Sequence, residues 1–197
     1  MIQFVYLVKK LEMLQVRGQR KLRKILDELS DSEHYLFTIS DFYAVFPELS
    51  YDSLRNLLSR AERNGLLERL CKGIYLNPRT DYPADLVLYH TAARLRERFF
   101  NYLSLETVLS DSGVISQIPM NWISLMSSGR TYTLRCGRFG TIEYVHTKKK
   151  PEELAGRVSY DTRCKLWRAH IELALQDMRY AGRPMDLVNW SLVDELA

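Results

Sequence analysis

The stretch TISDFYAVFPELSYDSLRNLLSRAERNGLLERLCKGIYLNP, residues 38–78, decides how this chain is read. Ser40 is placed to cap a short helix, Asp41 to Phe46, which Pro47 ends. Ser50 is placed to cap a longer helix that runs to Asn64, with Gly65 where a left-handed stop residue belongs. On this second helix Leu54, Leu57, Leu58 and Ala61 recur at three- and four-residue spacing, which predicts one buried stripe. Leu66–Leu70 and Ile74–Leu76 are then two short apolar runs joined by Cys71-Lys72-Gly73, a hairpin signal. Helix, turn, helix and hairpin in that order predict a winged helix-turn-helix.

The side of the second helix opposite its leucines carries Asp52, Arg55, Asn56, Ser59 and Arg63, flanked by Tyr51, Ser53 and Arg60. Arg69 and Lys72 lie at or near the hairpin tip. Arginine can bind guanine in a bidentate way and asparagine can do the same to adenine, while serine and lysine suit phosphates. A helix offers such side chains to the major groove, and a short wing reaches the neighbouring backbone. Tyr51, Ser53, Arg55, Asn56, Ser59, Arg60, Arg63, Arg69 and Lys72 are therefore the candidate interface for double-stranded DNA. A solvated helix face has the same residue mix; the order of the elements favours DNA.

Working outward, Tyr35, Phe37 and Ile39 alternate like a short first strand, and Gln19–Leu29 reads as a helix burying Leu22, Ile25, Leu26 and Leu29. Residues 1–18 fit either an amphipathic helix or a strand over Ile2–Val8. Seven basic residues against Glu12 between Lys9 and Lys24 make a candidate phosphate-touching arm, although a solvated face explains them too. Two prolines between Asn77 and Pro83 break helix and ladder alike, which predicts domains 1–80 and 81–197. Beyond them Ala84–Phe100 reads as a helix with Leu86, Val87, Ala93, Leu95 and Phe99 inward, and Ser104 as the cap of a helix to Ser110. Trp122–Met126, Tyr132–Leu134 and Ile142–Val145 read as a small antiparallel sheet with Arg130, Arg135 and Arg138 in its turns. Leu166–Tyr180 reads as a helix stopping at Gly182, and Met185–Leu196 as a last short segment. Phe37, Phe42, Tyr43, Phe46, Trp122, Trp167 and Trp190 are expected to pack in cores. The class expected is α+β: an N-terminal winged helix, then a mixed helical and antiparallel-sheet domain.

At 197 residues, 46% apolar and 26% charged, the composition is that of a soluble globular protein. The net charge of +4 is mild, and it gathers in residues 1–80, with 13 Lys/Arg against 10 Asp/Glu, rather than in 81–197, with 15 against 14. Three cysteines, widely spaced, show neither zinc spacing nor a disulfide framework and suit reduced thiols in a cytoplasm. The apolar run Ile2–Val8 is too short to span a bilayer. His34, His90, His146 and His170 sit in separate segments, and no Gly-x-Ser-x-Gly, HExxH or Asp-x-Asp occurs. No catalytic residue, metal or cofactor is expected.

Several downstream motifs carry a resemblance. Asn101–Ser110 (NYLSLETVLS) with Gly113-Val114-Ile115, the turn Ser127-Ser128-Gly129-Arg130, the segment Gly140–His146 (GTIEYVH), and Glu172–Asp177 with Asp186-Leu187-Val188 follow one another in a characteristic order. Together with the winged helix they resemble the AbiE-type antitoxins, whose pattern is a "YLSLES-AL" helix, a "T-x-GR" turn and a "G-x-x-x-Y-x-H" strand. The similarity spans roughly residues 35–190; Ser112 departs from it, standing where many relatives have histidine. The resemblance implies a bacterial type IV antitoxin, encoded beside a nucleotidyltransferase-like toxin and active in phage defence or mobile-element maintenance. It implies that the winged helix binds inverted repeats in its own promoter and represses it. It also implies that the C-terminal domain neutralises the toxin, with or without a stable complex. Arg130, Arg135 and Arg138 are candidates for that second role, although solvated turns explain them equally well. A winged-helix protein-docking module and a ligand-responsive regulator are the alternatives.

Overall fold

The computed structural model describes residues 17–116 and 121–196. They form two compact units, one up to Pro83 and one from Ala84 onward. The expectations for residues 1–16, including the basic Lys9 and Lys10, lie outside the described residues.

The first unit is α1 (residues 17–29), β1 (Leu36–Thr38), α2 (Ile39–Val45), α3 (Tyr51–Arg63), β2 (Glu68–Cys71) and β3 (Ile74–Leu76). The strands form an antiparallel sheet in the order β1-β3-β2. Leu54, Leu57, Leu58 and Ala61 of α3 are all buried, as their spacing predicts, and pack with Leu22 and Leu26 of α1 and Phe37, Phe42 and Phe46. Tyr43 is an exception to the aromatic expectation: it stands 49% exposed on α2. Ser50 caps α3, accepting from the Ser53 amide at 3.3 Å, and Gly65 ends it with φ 67°.

The cap of α2 is Thr38 rather than Ser40. The Asp41 amide donates to the Thr38 hydroxyl at 3.1 Å and the Thr38 amide donates to the Asp41 carboxylate at 2.7 Å, a reciprocal capping box. Each of the two amides thereby gains a side-chain acceptor. The helix therefore starts one residue after the strand ends, and Ile39 belongs to the helix. The Ile39 amide donates to the Gly73 carbonyl at 3.1 Å, fastening the start of α2 to the hairpin turn.

The second unit holds α4 (Val87–Leu95), β4 (Asn101–Leu103), α5 (Leu105–Asp111), β5 (Trp122–Ser127), β6 (Tyr132–Arg135) and β7 (Thr141–His146). It continues through β8 (Val158–Asp161), β9 (Leu166–Ala169), α6 (Ile171–Tyr180) and α7 (Trp190–Leu196). The α+β class is observed, but the sheet is larger and differently paired than expected. Six strands run in the order β6-β7-β5-β4-β9-β8, with β5–β7 and β4–β9 parallel and the other pairs antiparallel. The 128–131 segment is consequently no hairpin turn. It carries the chain past the end of β7, so that β5 and β6 flank β7 on either side.

Other boundaries move too. Leu166–Ala169, expected to begin a helix, is a strand, and α6 starts only at Ile171. Ala84–Phe100 divides into a single 3₁₀ turn and α4, which stops at Leu95 and leaves Phe99 49% exposed instead of inward. Ser104 is fully buried and does not cap α5; its hydroxyl donates to Asp177 of α6 at 2.7 Å. Lys149 supplies that carboxylate with its charge partner at 2.6 Å. Burial pushes the nearby Tyr102 phenol up, and the Asp177 carboxylate adds to the shift. Trp167 and Trp190 are exposed rather than core residues; Trp167 meets Tyr160 edge-on across the β8–β9 pair. Among the described residues, no helix is long and apolar enough to cross a membrane.

Candidate nucleic-acid interface

The capped, leucine-anchored α3 turns its other side outward. Tyr51, Ser53, Arg55, Asn56, Ser59 and Arg63 are exposed, and Arg60 is half-buried at the flank. Asp52 and Glu62 share this side, so the surface is mixed in charge. Among the described residues none of Arg55, Arg60, Arg63, Arg69 and Lys72 is held in an ion pair. Arg55 lies over the Tyr51 ring at 5.9 Å, and the Arg63 Nε donates to the Ser59 carbonyl at 3.4 Å. Ser53 is partly committed to the cap: its amide donates to Ser50 Oγ, and its hydroxyl accepts from Ser50 Oγ at 2.9 Å.

The hairpin stands beside this face. Arg69 on β2 pairs in register with Tyr75 on β3, and its Nε donates to the Cys71 carbonyl at 3.4 Å. Lys72 is exposed in the two-residue turn. Burial raises the Tyr75 phenol, while Arg69 of the hairpin and Arg55 of α3 both pull it down. Tyr75 shares one buried cluster with the leucines of α3, which sets the strand beside the helix. Such a surface offers bidentate donors, an amide and a wing cation on one side of a rigid body, the chemistry that base edges and phosphates require.

The downstream candidates separate. Arg130 is exposed in the 128–131 crossing, Arg135 at the end of β6, and Arg138 in the following 3₁₀ turn, with its guanidinium 4.4 Å from the Phe139 ring centre. Arg130 lines a groove, shared with Arg96, Phe99 and His146. Arg96 had no distinguishing signal in sequence, because it reads as one more charged residue in a longer helix. The point where α4 ends, with Arg96 as its last cap, is what places it.

Burial, reinforced by Asp161, pushes the Cys164 thiol up to about 11, away from the range of a nucleophilic thiolate. Among the described residues no group of three His, Cys, Asp or Glu is placed to hold a metal ion.

No curated protein matches this chain. Residues 24–78 match the family model described as "Transcriptional regulator, AbiEi antitoxin". The matched stretch runs from within α1 to just past β3 and takes in the whole face described above. Across its helix pair and wing, this chain is therefore similar to the AbiEi antitoxin transcriptional regulators.

Proposed function

We propose that the chain is a DNA-binding antitoxin that represses its own promoter and neutralises a nucleotidyltransferase-like toxin. The observation that carries this function is the exposed side of α3. Arg55, Asn56 and Arg63 stand clear of ion pairs beside a hairpin bearing Arg69 and Lys72, within the stretch that matches the antitoxin regulators. The DNA-contacting set is Tyr51, Ser53, Arg55, Asn56, Ser59, Arg60, Arg63, Arg69 and Lys72, on inverted repeats upstream of the chain's own reading frame. The unit from Ala84 onward carries toxin neutralisation, with Arg130 the foremost of its three arginine candidates because it lines a groove.

Duplex DNA from the upstream region, titrated at two salt concentrations, tests the first half. Saturable, sequence-selective binding that weakens steeply with salt is expected. A docking module would show neither property, and that result would replace DNA reading with protein recognition. Co-expression with the neighbouring toxin tests the second half, the expected result being restored growth.

A further inference from the structure

Where the 128–131 segment passes the end of β7, the second unit opens into a groove of about 540 Å³. That size lies within the roughly 300–1,000 Å³ usual for small-ligand sites. Its base is Arg96, whose guanidinium lies over the Tyr144 ring at 4.0 Å and whose Nη1 donates to Ser127 Oγ at 3.0 Å. Arg130, on the crossing segment, lines the same groove. Among the described residues no carboxylate pairs with either arginine. Burial lowers the Arg96 pKa, and the like charge of Arg130 adds to the effect. Elsewhere in this unit half-buried arginines have acids: Arg168 has Asp111 and Asp161, and Arg183 has Glu106 and Glu143. The Arg96 site is built without one.

The surrounding geometry holds this arrangement open. A side chain at Gly129 would put its Cβ 3.0 Å from Arg96 Nη1 and 3.3 Å from Phe99, so the absence of a Cβ lets Arg96 lie across the turn. His146 Nδ1 is hydrogen-bonded to the Gly129 carbonyl at 2.9 Å, and the His146 amide donates to Thr131 Oγ1 at 3.0 Å. With Nδ1 donating, Nε2 is the imidazole's remaining polar atom, able to take a proton and donate to an anion. Phe99 completes the rim with a half-exposed ring.

Two guanidinium groups without acids favour a tetrahedral oxyanion, because the arginine fork matches phosphate oxygens. An exposed aromatic ring beside them offers a stacking face for a base, which inorganic phosphate would leave unused. We propose that this groove binds a nucleoside phosphate, with the phosphate between Arg96 and Arg130, His146 donating to it, and the base stacked on Phe99. The ligand is either a free nucleotide or the phosphorylated end of a single strand, which share this chemistry.

Calorimetric titration of the full chain with adenosine 5′-monophosphate, inorganic phosphate and a 5′-phosphorylated tetra-adenylate tests the assignment. The monophosphate should bind saturably and about tenfold more tightly than inorganic phosphate. Arg130→Gln and Phe99→Ala, both at exposed positions, should each weaken it about tenfold without moving the unfolding temperature. Preference for the mononucleotide identifies a free ligand, and preference for the oligonucleotide identifies a strand end. Absence of saturable binding, equal affinity for inorganic phosphate, or variants that bind like wild type would each overturn it. Duplex binding measured on the same samples registers separately, so failure here is distinct from failure of the winged-helix function.

Discussion

The arginines of α3 and Arg168 of the second unit are used in opposite ways. On α3, Arg55 and Arg63 stand in solvent with no acid among the described residues to hold them. In the second unit Arg168 bridges Asp111 at 2.7 Å and Asp161 at 3.3 Å, tying α5 to the β8–β9 pair. Asp161 shows the effect of that setting. Burial alone would raise its carboxyl, but amide donors from Cys164 and Arg163 and the Arg168 cation together hold it below the usual range. One residue type thus serves as mortar at Arg168 and stands in solvent on α3. The distinction is made by what faces each guanidinium, not by how many there are. A count of basic residues, nearly balanced by acids in both units, cannot supply it.

The contrast can be broken by substitution, beginning where the effect should be greatest. Lys149→Met leaves the Asp177 carboxylate, 0% exposed, without its charge partner. It should destabilise the second unit by about 3 kcal/mol in denaturant unfolding, while duplex binding by the first unit persists. Arg55→Ala and Asn56→Ala should do the reverse, each removing about 2 kcal/mol of duplex affinity in gel-shift titrations with the unfolding transition unmoved. Arg168→Ala, whose pairs are partly solvated, should cost about 1 kcal/mol of stability and leave DNA binding alone. Lys72→Ala should give the smallest change, a slight weakening spread evenly over sequences and a salt slope flatter by about 1. An α3 arginine that alters unfolding, or Arg168 altering DNA affinity, would dissolve the division.

The first unit was the more legible in sequence because its determinants are local. Ser50, the four apolar positions of α3 and Gly65 lie within sixteen residues and point to one answer. The misplaced cap at Ser40 came from a competing alternation, Tyr35-Phe37-Ile39, which hid that Thr38 and Asp41 already satisfy each other. In the second unit the decisive pairings are distant. Nothing near Trp122–Ser127 says that its neighbour is Thr141–His146 in parallel rather than Tyr132–Arg135 in a hairpin. Leu166–Ala169 joins smoothly in sequence to a helical pattern, and only its partners β4 and β8 make it a strand. The groove residues share this fate. Arg96 and His146 lie fifty residues apart, and it is the crossing of the 128–131 segment that brings them to one rim.

The bond from the Ile39 amide to the Gly73 carbonyl has a further bearing on recognition. With β3 sandwiched between β1 and β2, it pins the hairpin tip at two points to the body that also seats α3. The span between the two probes is therefore set before any partner arrives, like the fixed jaws of a caliper. On the proposed function, little motional freedom is left to be surrendered when duplex DNA binds.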